Sequence, residues 1–162
     1  MRNKWKRKRL LSILVAAAMI IGLFPNTAFA NTEKTAANES ELTQAISEAS
    51  DQTTIKLTNS FTLTDKITIT DGKNIILDLN GKQISTPKQI IVYGDLTIKD
   101  SETNGKIDGS VGSMIVLNST GTLNLQSGVI QTTKYGAIKT GNGSTFNMSG
   151  GSVIGDGAIY AS

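Results

Sequence analysis

The sequence predicts an all-β solenoid in which short parallel strands stack coil upon coil behind one amphipathic helix. Three observations predict this fold. From Thr53 onward, apolar and polar residues alternate along many short segments. The turns between these segments contain glycines that recur every 23 residues. Helical periodicity is confined to one segment ahead of the strands. A length of 162 residues allows one domain of ordinary size and leaves little room for a second.

The segment 1–30 has the layout of a secretory signal peptide. Six basic residues lie within 2–9, an apolar stretch covers 10–24, and Ala28 and Ala30 form a small-x-small cleavage signature. The apolar stretch is about 15 residues long, short of the roughly 20 that cross a bilayer, which disfavours a transmembrane anchor. We therefore expect export, cleavage after Ala30 and a secreted or cell-surface location, with membrane contact only during export.

The basic excess of the chain belongs to this leader. The whole sequence has a net charge of +3, but residues 31–162 carry ten lysines, no arginine and 13 acidic residues, which leaves them at −3. Phosphate-backbone binding relies on clustered Arg and Lys, so we expect no nucleic-acid partner. The chain has neither cysteine nor histidine. This excludes disulfides, thiolate metal sites and Ser-His-Asp catalysis, and we expect no metal and no cofactor.

The segment after the leader predicts a linker and then a helix. Residues 31–38 are polar and predict a flexible linker, and residues 39–50 predict an amphipathic helix of about three turns with Asn38 or Ser40 as its N-cap. The apolar residues share helical spacing: Leu42, Ala45, Ile46 and Ala49. We expect this helix to cap the end of the following domain, and a helix that binds a partner protein is the alternative.

From residue 53 to 162 the pattern is that of short strands separated by turns. Residues of like character recur at a step of 23, in three registers: Gly105, Gly128 and Gly151; Ile84, Ile107, Ile130 and Val153; Val92, Ile115 and Ile138. Leucine-rich repeats have a similar period, but their consensus and their helical half are missing. We expect about three strands per coil of about 21–23 residues, with each strand pairing in parallel with its counterpart about 4.8 Å away in the next coil. Asn124 and Asn147, one period apart, predict a stacked amide ladder.

Several motifs resemble those of a known group of proteins. They are DGKNIILDLNGKQI at 71–84, GTLNLQSGVIQ at 121–131, STFNMSGGSVIG at 144–155, and the related YGAIK at 135–139 and DGAIY at 156–160. Over residues 39–162 the chain resembles right-handed parallel β-helix proteins of the pectate-lyase-like superfamily, particularly secreted or surface proteins of Gram-positive bacteria. The resemblance implies a right-handed parallel β-helix with a short N-terminal capping helix. It implies coil geometry rather than chemistry.

Residues 31–162 lack the catalytic residues that enzymes of this superfamily use. The lyases use a basic residue, typically arginine, with aspartates that hold calcium, and the polygalacturonase-type hydrolases use clustered aspartates with a histidine. This part of the chain has no arginine and no histidine, so we expect no catalytic residue and no metal site in it. A carboxylate pair between coils stays open near an insertion at 100–104, which Asp100, Glu102 and Asp108 surround. The alternative is a solvated turn.

Three tyrosines are the candidate ligand-binding residues: Tyr93, Tyr135 and Tyr160. We expect Tyr93 and Tyr160 to point outward in a similar register, with Val116 and Lys139 in the coils between them. Two such rings on one face, on the order of 14 Å apart from the coil spacing, could stack on a polysaccharide. The alternative is that tyrosine is simply a favourable strand residue.

These features favour an exported, non-catalytic β-helix module of a bacterial surface or secreted protein. We expect it to serve in adhesion, as a scaffold or in contact with carbohydrate, with a polysaccharide or a host or cell-wall glycan as partner. The competing class is the N-terminal part of a polysaccharide lyase or glycoside hydrolase whose catalytic coils lie beyond residue 162. Since DGAIYAS stops within a coil, we expect the natural protein to continue.

Overall fold

The computed structural model describes residues 32–50 and 52–161. The predicted signal peptide, with Ala28 and Ala30, lies outside the described residues. Sixteen strands and one helix follow one another within the described part, in this order: β1 (Thr32–Ala36), α1 (Glu39–Ser47), β2 (Gln52–Leu57), β3 (Phe61–Thr62), β4 (Ile67–Ile69), β5 (Asn74–Asp78), β6 (Gln83–Thr86), β7 (Ile90–Val92), β8 (Asp95–Lys99), β9 (Lys106–Gly109), β10 (Ile115–Leu117), β11 (Thr122–Leu125), β12 (Val129–Tyr135), β13 (Ile138–Thr140), β14 (Thr145–Met148), β15 (Ser152–Asp156) and β16 (Ile159–Ala161).

Three parallel sheets enclose one apolar interior, which confirms the predicted all-β solenoid. Sheet A has the order β1-β2-β5-β8-β11-β14, sheet B the order β3-β6-β9-β12-β15, and sheet C the order β4-β7-β10-β13-β16. From β2 onward every third strand belongs to the same sheet, so each coil contributes one strand to each sheet. The inward-facing residues are mainly Ile, Leu and Val, and most of them are fully buried.

The inward column of sheet B keeps the predicted step of 23 residues from each strand to the next. Its inward column follows the expected register: Phe61, Ile84, Ile107, Ile130 and Val153. Ile84, Ile107 and Ile130 have no exposed surface. The period read from the sequence therefore reports the real coil length along this sheet.

The register predicted for sheet C is wrong at one step. Ile115 pairs with Ile90 and not with Val92, whereas Ile115 and Ile138 pair as expected. The corner between β9 and β10 is two residues longer than the corner between β6 and β7. A shift of two residues leaves the inward and outward faces of a strand unchanged, so the hydrophobic pattern alone cannot reveal it.

The predicted flexible linker contains a strand instead. Within residues 31–38, Thr32–Ala36 forms β1, which pairs in parallel with β2 along the edge of sheet A. Ala36 is the fully buried residue of this strand, and the others keep exposed or half-exposed side chains. Backbone hydrogen bonds hold β1 in place, so a strand forms here although its polar composition did not predict one.

Helix α1 covers the interior of the first coil, which confirms the capping interpretation. It ends at Ser47, earlier than the predicted boundary at residue 50. Asn38 is the N-cap, and its Oδ1 accepts a hydrogen bond of 3.0 Å from the backbone N–H of Glu41. The apolar side chains of Leu42 and Ile46 are 3% and 8% exposed and pack into the core.

A carboxylate fixes the N-terminal end of α1 to the solenoid. Glu39 accepts hydrogen bonds from the hydroxyl of Thr64 at 2.6 Å, from the backbone N–H of Thr64 at 2.9 Å and from that of Asp65 at 2.8 Å. The Thr64 hydroxyl and these backbone amides hold the pKa of Glu39 below its ordinary value. The loop between β3 and β4 is thereby held against the start of the helix.

No helix within residues 32–50 and 52–161 is long and apolar enough to cross a membrane.

Candidate functional site

Tyr135 and Tyr160 form an aromatic pair on the outside of the solenoid. Their ring centroids lie 5.2 Å apart and the ring planes meet at 50°. Tyr135 is the last residue of β12 and is 59% exposed, and Tyr160 lies in β16 and is half-buried. The pair is therefore a surface feature at the corner between sheets B and C, and we call it the tyrosine pair.

Two glycines make room for these rings. Gly136 and Gly157 occupy the corner with φ values of +78° and +58°, which suit glycine far better than other residues. A Cβ on Gly136 would overlap the ring of Tyr160, and a Cβ on Gly157 would lie 2.5 Å from Cε2 of Tyr135. Each ring thus lies against the bare backbone of a glycine contributed by the other tyrosine's coil.

The two rings differ in how firmly they are held. The hydroxyl of Tyr160 hydrogen-bonds to the hydroxyl of Ser113, which belongs to the coil two turns earlier, so this ring is fixed at both ends. Tyr135 lies next to a register shift, where the pairing of β12 with β15 jumps from Gln131 to Tyr135. That irregularity carries Tyr135 to the corner and leaves its ring largely in solvent.

Tyr93 lies away from the tyrosine pair. The register aligns Tyr160 with Lys139, Val116 and Ile91, so the expectation that Tyr93 shares this column is wrong. Tyr93 follows the last residue of β7, at the corner between sheets C and A, and it is 41% exposed. The structure therefore brings two of the three candidate tyrosines together and leaves the third at another corner.

The acidic insertion after β8 is organised around backbone groups. The carboxylate of Asp100 accepts a hydrogen bond of 2.6 Å from the N–H of Gly81 and one of 2.7 Å from the N–H of Gly105. The hydroxyl of Ser127 in turn accepts from the backbone N–H of Asp100 at 2.6 Å. Asp100 therefore ties three consecutive coils together at the corner between sheets A and B, and this geometry favours a structural turn.

Two further carboxylates near this insertion, those of Asp108 and Asp78, also have ordinary partners. Asp108 accepts from Nε2 of Gln83 at 3.2 Å and lies 3.4 Å from the ammonium group of Lys106. Asp78 is 3% exposed and accepts from the N–H groups of Asn80 and Ser101, each at 3.0 Å. Among the described residues no group of three or more metal-ligating acidic side chains is placed to hold an ion.

The interior beneath α1 contains a small cavity. Its volume is about 20 Å³, and aliphatic side chains line it, including Leu42, Ile46 and Leu63. This is room for about one water-sized probe without polar partners, so the cavity suits neither a sugar nor an ordered water. Recognition of a large ligand would have to use the outer faces.

The outer face of sheet A carries the predicted amide ladder. Nδ2 of Asn147 donates a hydrogen bond of 2.9 Å to Oδ1 of Asn124, which confirms the ladder. Nδ2 of Asn124 in turn donates to the hydroxyl of Thr97 at 3.4 Å, which extends the row of hydrogen bonds into the preceding coil. Stacked amides of this kind satisfy one another along the solenoid and fix the outward side chains in rows.

Comparison with known proteins identifies no relative: no family model, no curated protein and no solved structure matches the chain.

Proposed function

We propose that the chain is an exported, non-catalytic β-helix module of a secreted or surface protein of a Gram-positive bacterium, related to the pectate-lyase-like superfamily, and that it contacts carbohydrate through the tyrosine pair. The exposed ring of Tyr135 at the corner between sheets B and C is the observation that carries the proposal.

The chemistry of the pair suits a sugar ring. The face of an aromatic ring carries partial negative charge, and the C–H groups on one face of a pyranose carry partial positive charge, so the two stack. The two rings are in contact, with centroids 5.2 Å apart, so a sugar has no room between them. It would stack instead on the ring of Tyr135, which is the exposed member of the pair.

Polar groups for the sugar hydroxyls lie next to the rings. Thr133 and Lys134 precede Tyr135 in β12 and are exposed, and Asp156, its register partner, is exposed as well. A sugar stacked on Tyr135 therefore has an ammonium group, a hydroxyl and a carboxylate within one or two residues. A few polar groups around an apolar contact surface are the usual composition of a small-ligand site.

Binding to a panel of plant and bacterial polysaccharides tests this proposal, followed by calorimetry with the oligosaccharide that binds best. Tyr135→Ala is expected to weaken binding at least about tenfold, which corresponds to about 1.4 kcal/mol, and Tyr135→Phe is expected to retain most of it. Tyr93→Ala, which removes an exposed tyrosine at the other corner, is the matched control and leaves the affinity unchanged. Absence of binding across the panel, or equal loss with Tyr93→Ala and Tyr135→Ala, contradicts the proposal.

Export is tested separately by expressing the chain in a Gram-positive host. The protein is expected in the medium or at the cell surface with Asn31 as its first residue, found by N-terminal sequencing. Cleavage there leaves β1 intact, since this strand begins at Thr32. Ala30→Arg, which removes the small residue before the cut, is expected to leave the leader attached. A wild-type protein retained in the cytoplasm with its leader would overturn this part of the proposal.

A further inference from the structure

An asparagine is followed directly by glycine at three places in the chain: Asn80-Gly81, Asn104-Gly105 and Asn142-Gly143. In such a pair the backbone nitrogen of the glycine can attack the side-chain amide carbon of the asparagine, because glycine has no side chain to hinder the approach. The attacking nitrogen must lose its proton and turn toward that carbon. The hydrogen bonds of the three glycine N–H groups therefore decide which asparagine can react.

One carboxylate holds two of these three N–H groups. Oδ1 of Asp100 accepts from the N–H of Gly81 at 2.6 Å, and its Oδ2 accepts from the N–H of Gly105 at 2.7 Å. Hydrogen bonds to a charged acceptor are stronger than those to a neutral one. A negative charge beside the nitrogen also disfavours loss of its proton. Both glycine nitrogens are thus held away from attack and kept protonated.

The side chain of Asn80 is fixed as well. Its Nδ2 donates a hydrogen bond of 2.8 Å to the carbonyl of Leu57 in the preceding coil. The reacting carbon and the attacking nitrogen at this pair are therefore both anchored, each to a different partner.

The third pair lacks such partners. Asn142 and Gly143 lie in the corner between β13 and β14, and both are exposed. The N–H of Ser144 closes this turn by donating to the carbonyl of Gly141 at 3.1 Å. Within residues 32–50 and 52–161, neither the N–H of Gly143 nor the side-chain amide of Asn142 has a hydrogen-bond partner.

We propose that Asn142 is a site of spontaneous covalent modification and that Asp100 protects Asn80 and Asn104 from the same reaction. The nitrogen of Gly143 bonds to Cγ of Asn142, the bond from Cγ to Nδ2 breaks, and ammonia leaves, which gives a cyclic succinimide. Water then adds to either ring carbonyl, so the ring opens to aspartate or to isoaspartate. The net reaction consumes one water and releases one ammonia, without an oxidant or a cofactor.

Both products change the exposed corner between sheets C and A. Each adds one negative charge to a segment, 31–162, that has a net charge of −3. Isoaspartate also adds one carbon atom to the main chain, within a turn closed by the bond from Ser144 to Gly141. The strands β13 and β14 on either side keep their ladders, since the altered residue lies outside both.

Peptide mapping of the aged wild-type chain tests the proposal. The folded protein is held at mildly alkaline pH, samples are digested over time, and mass spectrometry detects the gain of one mass unit and the isoaspartate isomer. We expect Asn142 to react at least about tenfold faster than Asn80 or Asn104, because their glycine nitrogens must first break a charge-assisted hydrogen bond. The same chain in concentrated urea is the internal control. There the hydrogen bonds to Asp100 are lost, and the three rates are expected to become similar.

Replacing Asp100 tests whether its carboxylate, rather than the local sequence, slows the reaction at Asn80 and Asn104. Asp100→Asn keeps at most one of the two hydrogen bonds and loses the charge, so it is expected to accelerate the reaction of at least one of Asn80 and Asn104 at least about tenfold and to leave that of Asn142 unchanged. Asp108→Asn is the matched control, since it removes the same charge near the same corner but accepts from no Asn-Gly amide. Circular dichroism verifies that both variants keep their strands. If Asp100→Asn does not fold, the comparison of folded and urea-treated wild type decides alone.

Three results would overturn the proposal. The first is a folded wild-type chain in which Asn142 reacts no faster than Asn80 and Asn104. The second is a preference for Asn142 that persists unchanged in urea, which would place its origin in the local sequence. The third is a folded Asp100→Asn variant with unaltered rates at Asn80 and Asn104. The inference is independent of glycan binding, because none of these residues belongs to the tyrosine pair.

Discussion

Nζ of Lys73 donates a hydrogen bond of 2.8 Å to the backbone carbonyl of Ser47, the last residue of α1. The same ammonium group also donates to the carbonyl of Ala49. The carbonyls at the end of a helix have no partner within the helix, and a cation there also interacts favourably with the helix dipole. Lys73, in the turn before β5, therefore holds the C-terminal end of the cap as Glu39 holds its N-terminal end.

Replacing Lys73 by Met is expected to destabilise the protein by about 1–2 kcal/mol, because two carbonyl groups lose a charged donor. Thermal and urea unfolding measure the effect. Lys66→Met, in the exposed loop before β4, is the control and is expected to change stability by less than about 0.5 kcal/mol. Equal effects of the two substitutions would show that the contact at Ser47 contributes nothing.

The hydrogen bonds to Glu39 make the stability of the cap depend on pH. Its pKa in the folded chain is lowered below the ordinary value, so its stabilising contribution is present above the unfolded pKa and is lost as the pH falls through the folded pKa. Glu39→Gln is expected to lower the melting temperature at pH 7, and the difference from wild type is expected to shrink below about pH 4. Glu102→Gln, in the exposed acidic corner, serves as control. A difference for Glu39→Gln that stays constant from neutral to strongly acidic pH would contradict this mechanism.

Thr53 occupies an inward position that later coils fill with apolar residues. It is 1% exposed, no described residue hydrogen-bonds to its hydroxyl, and its partner in the next coil is Ile75. Thr53→Val is expected to raise the free energy of unfolding by about 1 kcal/mol, because an unpaired buried hydroxyl is removed at nearly constant shape.

Thr86→Val is the counterpart of that change. Thr86 is 2% exposed, but its hydroxyl donates to the carbonyl of Lys88 at 2.7 Å and accepts from the N–H of Lys88 at 3.0 Å. Here the same substitution is expected to destabilise by about 1 kcal/mol. Denaturant unfolding of both variants compares them, and destabilisation by Thr53→Val would mean that its hydroxyl has a partner after all.

Gly136→Ala is expected to disrupt the tyrosine pair and to destabilise the chain by more than Gly72→Ala does. Both glycines have positive φ, +78° and +76°, so both substitutions carry a similar backbone strain of about 1 kcal/mol. A Cβ on Gly72 has no heavy atom within 4 Å, whereas one on Gly136 would overlap Tyr160. The excess loss of stability measures the packing of the ring, and no excess would show that Tyr160 moves aside freely.

Asp100→Asn is expected to destabilise the chain by about 1–3 kcal/mol, because the amide can accept only one of the two backbone hydrogen bonds and points a donor at the other N–H. Asp108→Asn, which weakens a partly exposed contact with Lys106, is expected to cost less than about 1 kcal/mol. Urea unfolding compares the two. A larger effect at Asp108 would argue against the corner role of Asp100.

The coil period and the inward columns of sheet B could be predicted because they depend on features that the sequence displays directly. Ile84, Ile107 and Ile130 repeat without insertion, and alternation determines which side of each strand is buried. The register at Ile115 could not be predicted, since a corner two residues longer preserves the alternation. β1 escaped prediction for another reason: its place depends on backbone hydrogen bonds to β2, which leave no mark on its side chains.

The tyrosine pair depends on three-dimensional features that a column-by-column reading omits. It needs the register shift in β12 and the two corner glycines, so Tyr135 and Tyr160 meet although they occupy different positions in their coils. A signal was nevertheless present in the sequence. Gly136 and Gly157 are separated by nearly one coil, one just after a tyrosine and the other three residues before one.

The position of α1 near the start of the solenoid also bears on where a further coil can pair. Each coil pairs with its immediate neighbours, so a new coil needs only the one before it as a template. Because Leu42 and Ile46 of α1 cover one side of the first coil, that template has a single open face. The helix thereby closes one end of the apolar interior, and a further coil can pair only at the other end.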